Sequence, residues 1–302
     1  MRPTSPLETI VRTALPVDVR LTLRALRHGG GDPATRGEGG AFWRATRTPA
    51  GPATARYAPV AGGVAVQAWG PGAAWCLETA AELVGGRDTL EGFEPAGLVR
   101  ECHRRLPGLR IPRSLAVVEK LVPTILEQKV TGLEAHAAWR ALLRAWGQPA
   151  PGPLPLLVPP APERLAAEPY WAFHAFGVEM KRANTIRAAA ALAARLEAAS
   201  GLGPAPARQR LQVVPGVGPW TAAEVALAAL GDADAVPVGD YHLPHIVSWA
   251  LAGEPRGSDE RMLELLAPYP GHRGRVARLL ALAGPRLPRR GPRMQVRSFR
   301  RL

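Results

Sequence analysis

The sequence predicts a mostly α-helical protein with a small antiparallel sheet and attendant helices at its N-terminal end. Three observations predict it. Strand-like alternation is confined to the first seventy or so residues, helical periodicity runs almost unbroken from Ile111, and a Pro-Gly-x-Gly turn joins two helices in LQVVPGVGPWTAAEVALAAL. The expected boundaries are 1–110 for the α/β unit, 111–285 for the helical part with its two hairpin-linked helices at about 207–230, and 286–302 for a basic tail. A chain of 302 residues is long enough for two or three such units.

After a short extended start, PVDVRLTLRALRHG reads as a helix with Val17, Leu21, Leu23 and Leu26 near one side. The stretch GGGDPATRGEGG reads as a loop. AFWRATRT, PATARYAPV and GVAVQAWG read as three strands joined through TPAGP and AGG, and a helix from Pro71 to Val84 closes at Gly85 and Gly86. SLAVVEKLVPTILEQKVTGLEAHAAWRALLRAWG gives two or three helices, with breaks expected around Pro123 and around 128–132. QPAPGPLPLLVPPAP holds seven prolines and is expected to be an extended connector. Helices resume through ERLAAE, PYWAFHAF and EMKRANTIRAAAALAARLEAAS, and DERMLELLAPY and HRGRVARLLALAG are the last two.

A net charge of +13 suits a polyanionic partner, but only Lys120, Lys129 and Lys181 are lysines, and arginine and alanine richness also follows from a GC-rich coding sequence. The tail from Pro285 carries seven arginines and no acid, either as a solvated segment or as a contact to a nucleic-acid backbone. Cys76 and Cys102 are the only cysteines, which excludes a four-cysteine zinc or iron–sulfur site and suits a reducing, bacterial cytoplasm. The N-terminal residues lack the apolar core of a signal peptide, and no run of eighteen apolar residues suggests a membrane span.

The chemistry concentrates in residues 211–240. Pro215 stops one helix; Gly216 and Gly218 permit positive φ and close approach of a ligand to the backbone around Val217. The next helix, opening at Pro219 and including Thr221, turns free N–H groups and a positive dipole end outward, a grip for a phosphate oxygen. By itself this is an ordinary turn. Twenty residues after Trp220, VPVGDYHLPHIVSWALAG places Asp240 at the start of another helix, where a carboxylate serves as a cap, as a catalytic group, or as both.

Together the turn and VGDYHL resemble the helix-hairpin-helix, Gly/Pro-Asp superfamily of base-excision DNA glycosylases, and within it most closely 3-methyladenine DNA glycosylase II. LPGLRIPRSLAVVEKLVPTILEQKVTGLEAHA and PERLAAEPYWAFHAFGVEMKRANTIRAAA are similar to helical segments of that family, so the likeness covers roughly residues 1–285. It implies a helical glycosylase core behind a small α/β unit, acting as a monomer on duplex DNA containing alkylated purines, nucleoid-associated when at work. Asp240 aligns with the catalytic aspartate, which stabilises the oxocarbenium-like sugar as a flipped base departs. Pro215, Gly216, Val217, Gly218 and Thr221 align with the phosphate-binding hairpin. Trp220 stands where strand-cleaving relatives carry a Schiff-base lysine, so imine chemistry is not expected at that position. A purine made cationic by alkylation is already a good leaving group, consistent with a single obvious acid.

Trp220, Glu224 and Tyr241 are the base-pocket candidates. Trp220 suits stacking on a cationic base or packing beside the hairpin. Glu224 lies one turn further, where the family often has an aromatic; it either attracts a cationic purine or faces solvent, and solvent is the preferred expectation. The late helix around Arg275 to Leu282 lacks the tryptophan that relatives use as a pocket wall. Gln128 and Lys129 fall where the family inserts a side chain into the gap left by the flipped base, with phosphate contact as the alternative for Lys129. No metal or nucleotide cofactor is expected, although the resemblance allows a monovalent cation on hairpin carbonyls. His242 and His245 have metal-compatible spacing but no evident third ligand. Trp43, Trp69 and Trp75 are expected in the core. The competing readings are a non-catalytic lesion-binding protein and a glycosylase for deaminated purines.

Overall fold

The computed structural model describes residues 5–287, so nearly all of the arginine-rich tail lies outside the described residues. A five-stranded antiparallel sheet comprises β1 (Leu7–Arg12), β2 (Thr35–Glu38), β3 (Ala41–Thr48), β4 (Gly51–Val60) and β5 (Gly63–Trp69), in the order β1-β5-β4-β3-β2. Strands β3 to β5 form a meander, with Tyr57 opposite both Phe42 and Val66. The expected loop at 29–40 is a loop only in part. Its TRGE segment pairs with β3, Thr35 opposite Arg44, and supplies one edge of the sheet. Hydrophobic patterning could not reveal it because three of its four residues are exposed and none is a large apolar one.

One sheet face packs on α1 (Val19–Leu23), the 3-10 turn Arg24–Leu26, α2 (Ala73–Glu78) and α3 (Ala80–Leu83), through Leu23, Tyr57, Val66 and Cys76. On the other face Trp43 and Trp69 stack at 5.4 Å between ring centroids and meet Leu156 and Val158 of the proline-rich connector. That connector is extended as expected, with a minimal ladder between β6 (Gln148–Pro149) and β7 (Leu157–Val158). The three tryptophans at 43, 69 and 75 therefore pack in and around the sheet.

The helical part contains two cores. One gathers α5 (Val117–Leu126), α6 (Gly132–Trp146), α7 (Pro162–Ala167), the 3-10 segment Tyr170–Phe176, α8 (Met180–Ala191), α9 (Ala193–Glu197), α10 (Pro204–Leu211) and α11 (Pro219–Val225), which continues through a π turn, Ala226–Leu230. The other gathers α4 (Gly97–Arg105), α12 (Leu243–Ala252), α13 (Asp259–Leu266) and α14 (Arg273–Ala283). Helix α4 precedes residue 110, yet Val99 and Cys102 pack with Val247 and Leu280 and not with the sheet.

Pro123 does not interrupt α5, contrary to expectation. Nine of the helix's ten residues are buried. Burial of Leu121, Val122, Ile125 and Leu126 at roughly 1.5–3 kcal/mol each outweighs a proline penalty of about 3 kcal/mol. Both ends of α5 are held by side chains. The Glu197 carboxylate accepts the Val117 and Val118 N–H groups, each at 2.9 Å. Buried Arg182, from α8, donates to the Leu126 carbonyl at 2.6 Å. Arg44 of β3 meets Glu119 at 2.6 Å, joining the sheet to the same helix.

Candidate active site

The hairpin between α10 and α11 spans residues 212–218. Gly216 has φ +91°, and a Cβ there would stand 2.3 Å from Thr185 Oγ1, so both backbone and packing exclude other residues. Gly218 differs from expectation: at φ −96° it is extended, and nothing lies within 4 Å of a Cβ built there. Its lack of a side chain keeps the approach to the start of α11 open and is not required by the fold. Leu211, Val214 and Val217 anchor the turn in the core, while Pro215 is exposed.

Gln128 reaches across from the loop after α5. Its Nε2 donates to the Gly216 carbonyl at 3.0 Å and to Thr221 Oγ1 at 2.8 Å. Gln128 therefore braces the hairpin, and Thr221, buried, is part of that brace. The adjacent Lys129 is exposed and sits at φ +55°, uncommon for a residue with a side chain. The Arg182 contact to Leu126 holds the helix end from which this loop leaves. Sequence reasoning gave Arg182 no role, although it lies within the quoted FGVEMKR segment.

Asp240 is fixed on three sides. Its Oδ1 accepts the N–H groups of His242 and Leu243, both at 2.8 Å, at the entrance to α12. Its Oδ2 accepts Trp220 Nε1–H at 2.9 Å, linking it to the first turn of α11. The preceding peptide is pinned as well, since Gly239 N–H donates to both carboxylate oxygens of Asp259 at 3.1 and 3.0 Å. The cap role expected of Asp240 is present, and three donors set the orientation of its carboxylate. Tyr241 is 82% exposed and meets His242 edge-on at 4.9 Å, so it stands outside any enclosed space. His245 Nδ1 accepts the Gly257 N–H at 3.1 Å, and among the described residues no cluster of three or more metal-ligating side chains forms.

A cavity of about 270 Å³ has Pro237, Leu243 and Glu224 in its wall; Asp240 and Trp220 are not part of that wall, although Asp240 lies within electrostatic reach of Glu224. Single bases are the size of ligand such a space accommodates. Glu224 lines it and does not point to open solvent as expected. Burial pushes the Glu224 carboxyl above its ordinary pKa; Glu127 and Asp240 add to the rise, while Lys120 and Arg278 oppose it. Lys120, Arg24 and Arg278 line the same cavity. Arg278, pushed down to about 10 mainly by burial, comes from α14, where an aromatic wall was absent from the sequence. These three cations were not foreseen because they come from the 3-10 turn after α1, from α5 and from α14, and no local pattern connects them. A smaller hollow of about 20 Å³ between β3 and α5 has room for little more than a water.

The chain matches no family model. It is 34% identical over 150 residues to a Mycobacterium tuberculosis protein named "Probable bifunctional transcriptional activator/DNA repair enzyme AlkA", a span of 48% of this chain and 29% of that protein. The chain thus spans less than a third of the curated relative's length. Among solved structures, the 3-methyladenine DNA glycosylase from Archaeoglobus fulgidus superposes with a TM-score of 0.78 at 19% identity, covering 90% of this chain and 97% of that one. The Clostridium acetobutylicum 8-oxoguanine glycosylase/lyase, bound to double-stranded DNA containing cytosine opposite 8-oxoguanine, superposes at 0.70 with 14% identity, covering 93% and 97%. The fold is that of these DNA glycosylase structures, and about half of the chain is similar in sequence to the protein named AlkA.

Proposed function

We propose that this chain, which carries the helix-hairpin-helix glycosylase fold, is a monofunctional DNA glycosylase of base excision repair. The supporting observation is the Trp220–Asp240 pair: a carboxylate oriented by three donors, within electrostatic reach of a carboxyl that lines a base-sized cavity, with an indole in place of a nucleophilic amine. Duplex DNA is gripped through the hairpin at Gly216 and Gly218, and the damaged nucleotide is rotated out so that its base enters the cavity. As the N-glycosidic bond breaks, positive charge develops on the sugar and the fixed Asp240 carboxylate stabilises it. The same carboxylate orients the water that attacks C1′ and takes its proton.

The mechanism asks for no metal or nucleotide cofactor. A monovalent cation at the hairpin would have to share the Gly216 carbonyl with Gln128. Alkylated purines are the substrates suggested by the likeness to AlkA and to a 3-methyladenine glycosylase. The reading is tested with Asp240→Asn on alkylated duplex DNA. Release of base should be lost while binding to abasic DNA persists; unchanged release would refute it. A borohydride trapping assay tests the monofunctional part, since a trapped protein–DNA adduct would contradict the absence of imine chemistry.

A further inference from the structure

The five-stranded sheet ends in two edges of unlike character. Strand β2 is four residues long, Thr-Arg-Gly-Glu, with Arg36 and Glu38 paired at 3.5 Å, and a short charged edge resists pairing with another chain. Strand β1 is six residues long and carries Leu7, Thr9, Ile10 and Val11, a composition that favours pairing. Ile10 is 52% exposed and Leu7 50%. Among the described residues no backbone group pairs with the outer side of β1, which therefore offers a row of free N–H and C=O groups.

The register with β5 sets Glu8, Ile10 and Arg12 on one face of the sheet, in line with Gln67, Ala65 and Gly63. That face looks away from α2 and α3, which pack against Val64, Val66 and Ala68. Both charged side chains are held at one end only. Gln67 Nε2 donates to Glu8 Oε1 at 2.7 Å, and Arg12 Nη1 donates to the Ala61 carbonyl at 3.0 Å. Glu8 Oε2 and Arg12 Nη2 have no bond among the described residues and remain available.

Two identical edge strands pair antiparallel about a twofold axis normal to the sheet, and each side chain must stay on its own face. The axis therefore passes through a residue and not between two. Centred on Glu8 or on Arg12, it would set like charges against each other. Centred on Thr9 or Val11, it would set a charge against Ile10. Centred on Ile10, it sets Glu8 against the partner's Arg12 on both sides of the axis, with Ile10 on its own copy and Thr9 against Val11.

We propose that two copies of this chain associate through β1, antiparallel and centred on Ile10, so that the two five-stranded sheets become one. This departs from the monomer that the resemblance implies. Strand β1 shares no residue with the hairpin or with Asp240, so the proposal holds or fails separately from the glycosylase reading. A contact one strand long is small, and the association depends on protein concentration.

Sedimentation of the full chain from about 1 μM to about 1 mM should show a monomer–dimer equilibrium. Ile10→Lys sets like charges at the axis and should raise the dissociation constant about tenfold or more, while thermal unfolding of the monomer stays near wild type because the side chain is exposed. Glu8→Arg should weaken the dimer as well, and adding Arg12→Glu should restore it, since the opposite charges again face each other. Ile10→Cys should form a covalent dimer on mild oxidation with copper–phenanthroline, whereas Thr9→Cys should not, because it faces Val11. Cys76 and Cys102 are buried and offer no competing thiol. A monomer at every concentration, a dimer indifferent to Ile10→Lys, or cross-linking of Thr9→Cys in preference to Ile10→Cys would each overturn the proposal. Wild-type sedimentation and the two cysteine variants decide the matter even if the charge variants fail to fold.

Discussion

Replacing Asp240 by asparagine removes the charge but leaves a side chain of the same shape, so the three donors around it set the cost. The asparagine carbonyl can still accept the His242 and Leu243 N–H groups, and the entrance to α12 survives. Its amide nitrogen then faces Trp220 Nε1–H, two donors where one donor met one acceptor at 2.9 Å. Turning the amide round is worse, because the nitrogen would face two backbone donors. The cost is the lost bond to a charged acceptor plus a mispaired donor, about 1–3 kcal/mol. Trp220→Phe removes the opposing donor, so Asp240→Asn should cost about 1–2 kcal/mol less in that background. Thermal or denaturant unfolding of the four proteins gives the coupling. Excision should behave differently: loss of the charge should slow release by about 100-fold or more, and the second substitution should not restore it. Equal costs in both backgrounds would refute the Trp220–Asp240 bond. Recovery of excision in the double variant would refute Asp240 as the source of the stabilising charge.

Gly218→Ala should leave thermal stability near wild type, because the site is open and φ is ordinary, yet weaken DNA binding in a fluorescence titration; Gly216→Ala should lower stability markedly. Arg182→Ala should cost about 3–5 kcal/mol in denaturant unfolding, since it strands the Leu126 carbonyl and removes a buried cation. Gln128→Ala should weaken duplex affinity without changing the pH profile of excision, because it loosens the hairpin and touches no reacting atom. Glu224 makes the folded state less stable as pH rises from the ordinary glutamate value through its own raised value, because the folded state there binds more protons than the unfolded one. Glu224→Gln should therefore flatten this part of the stability–pH curve, as followed by unfolding at several pH values.

The hairpin and Asp240 were legible because their chemistry is local. A turn that must hold Gly216 at positive φ and a carboxylate three residues before a helix each leave marks within a few residues along the chain. The three main strands were legible from their alternation and turns. Strand β2 was not, since an edge strand with exposed side chains buries no pattern, and α5 ran through Pro123 because its burial outweighs the proline.

The sequence by itself thus determined the helical class, the glycine-bearing turn between two helices, and the presence of a tryptophan one residue after the second helix opens. Only the tertiary structure decided that Glu224 faces a cavity and that Arg24, Lys120 and Arg278 face it too. The reason is physical. Motifs record constraints between neighbours along the chain, whereas the charge of a pocket is a sum over residues that become neighbours only when the sheet's flanking turn, α5 and α14 pack around α11.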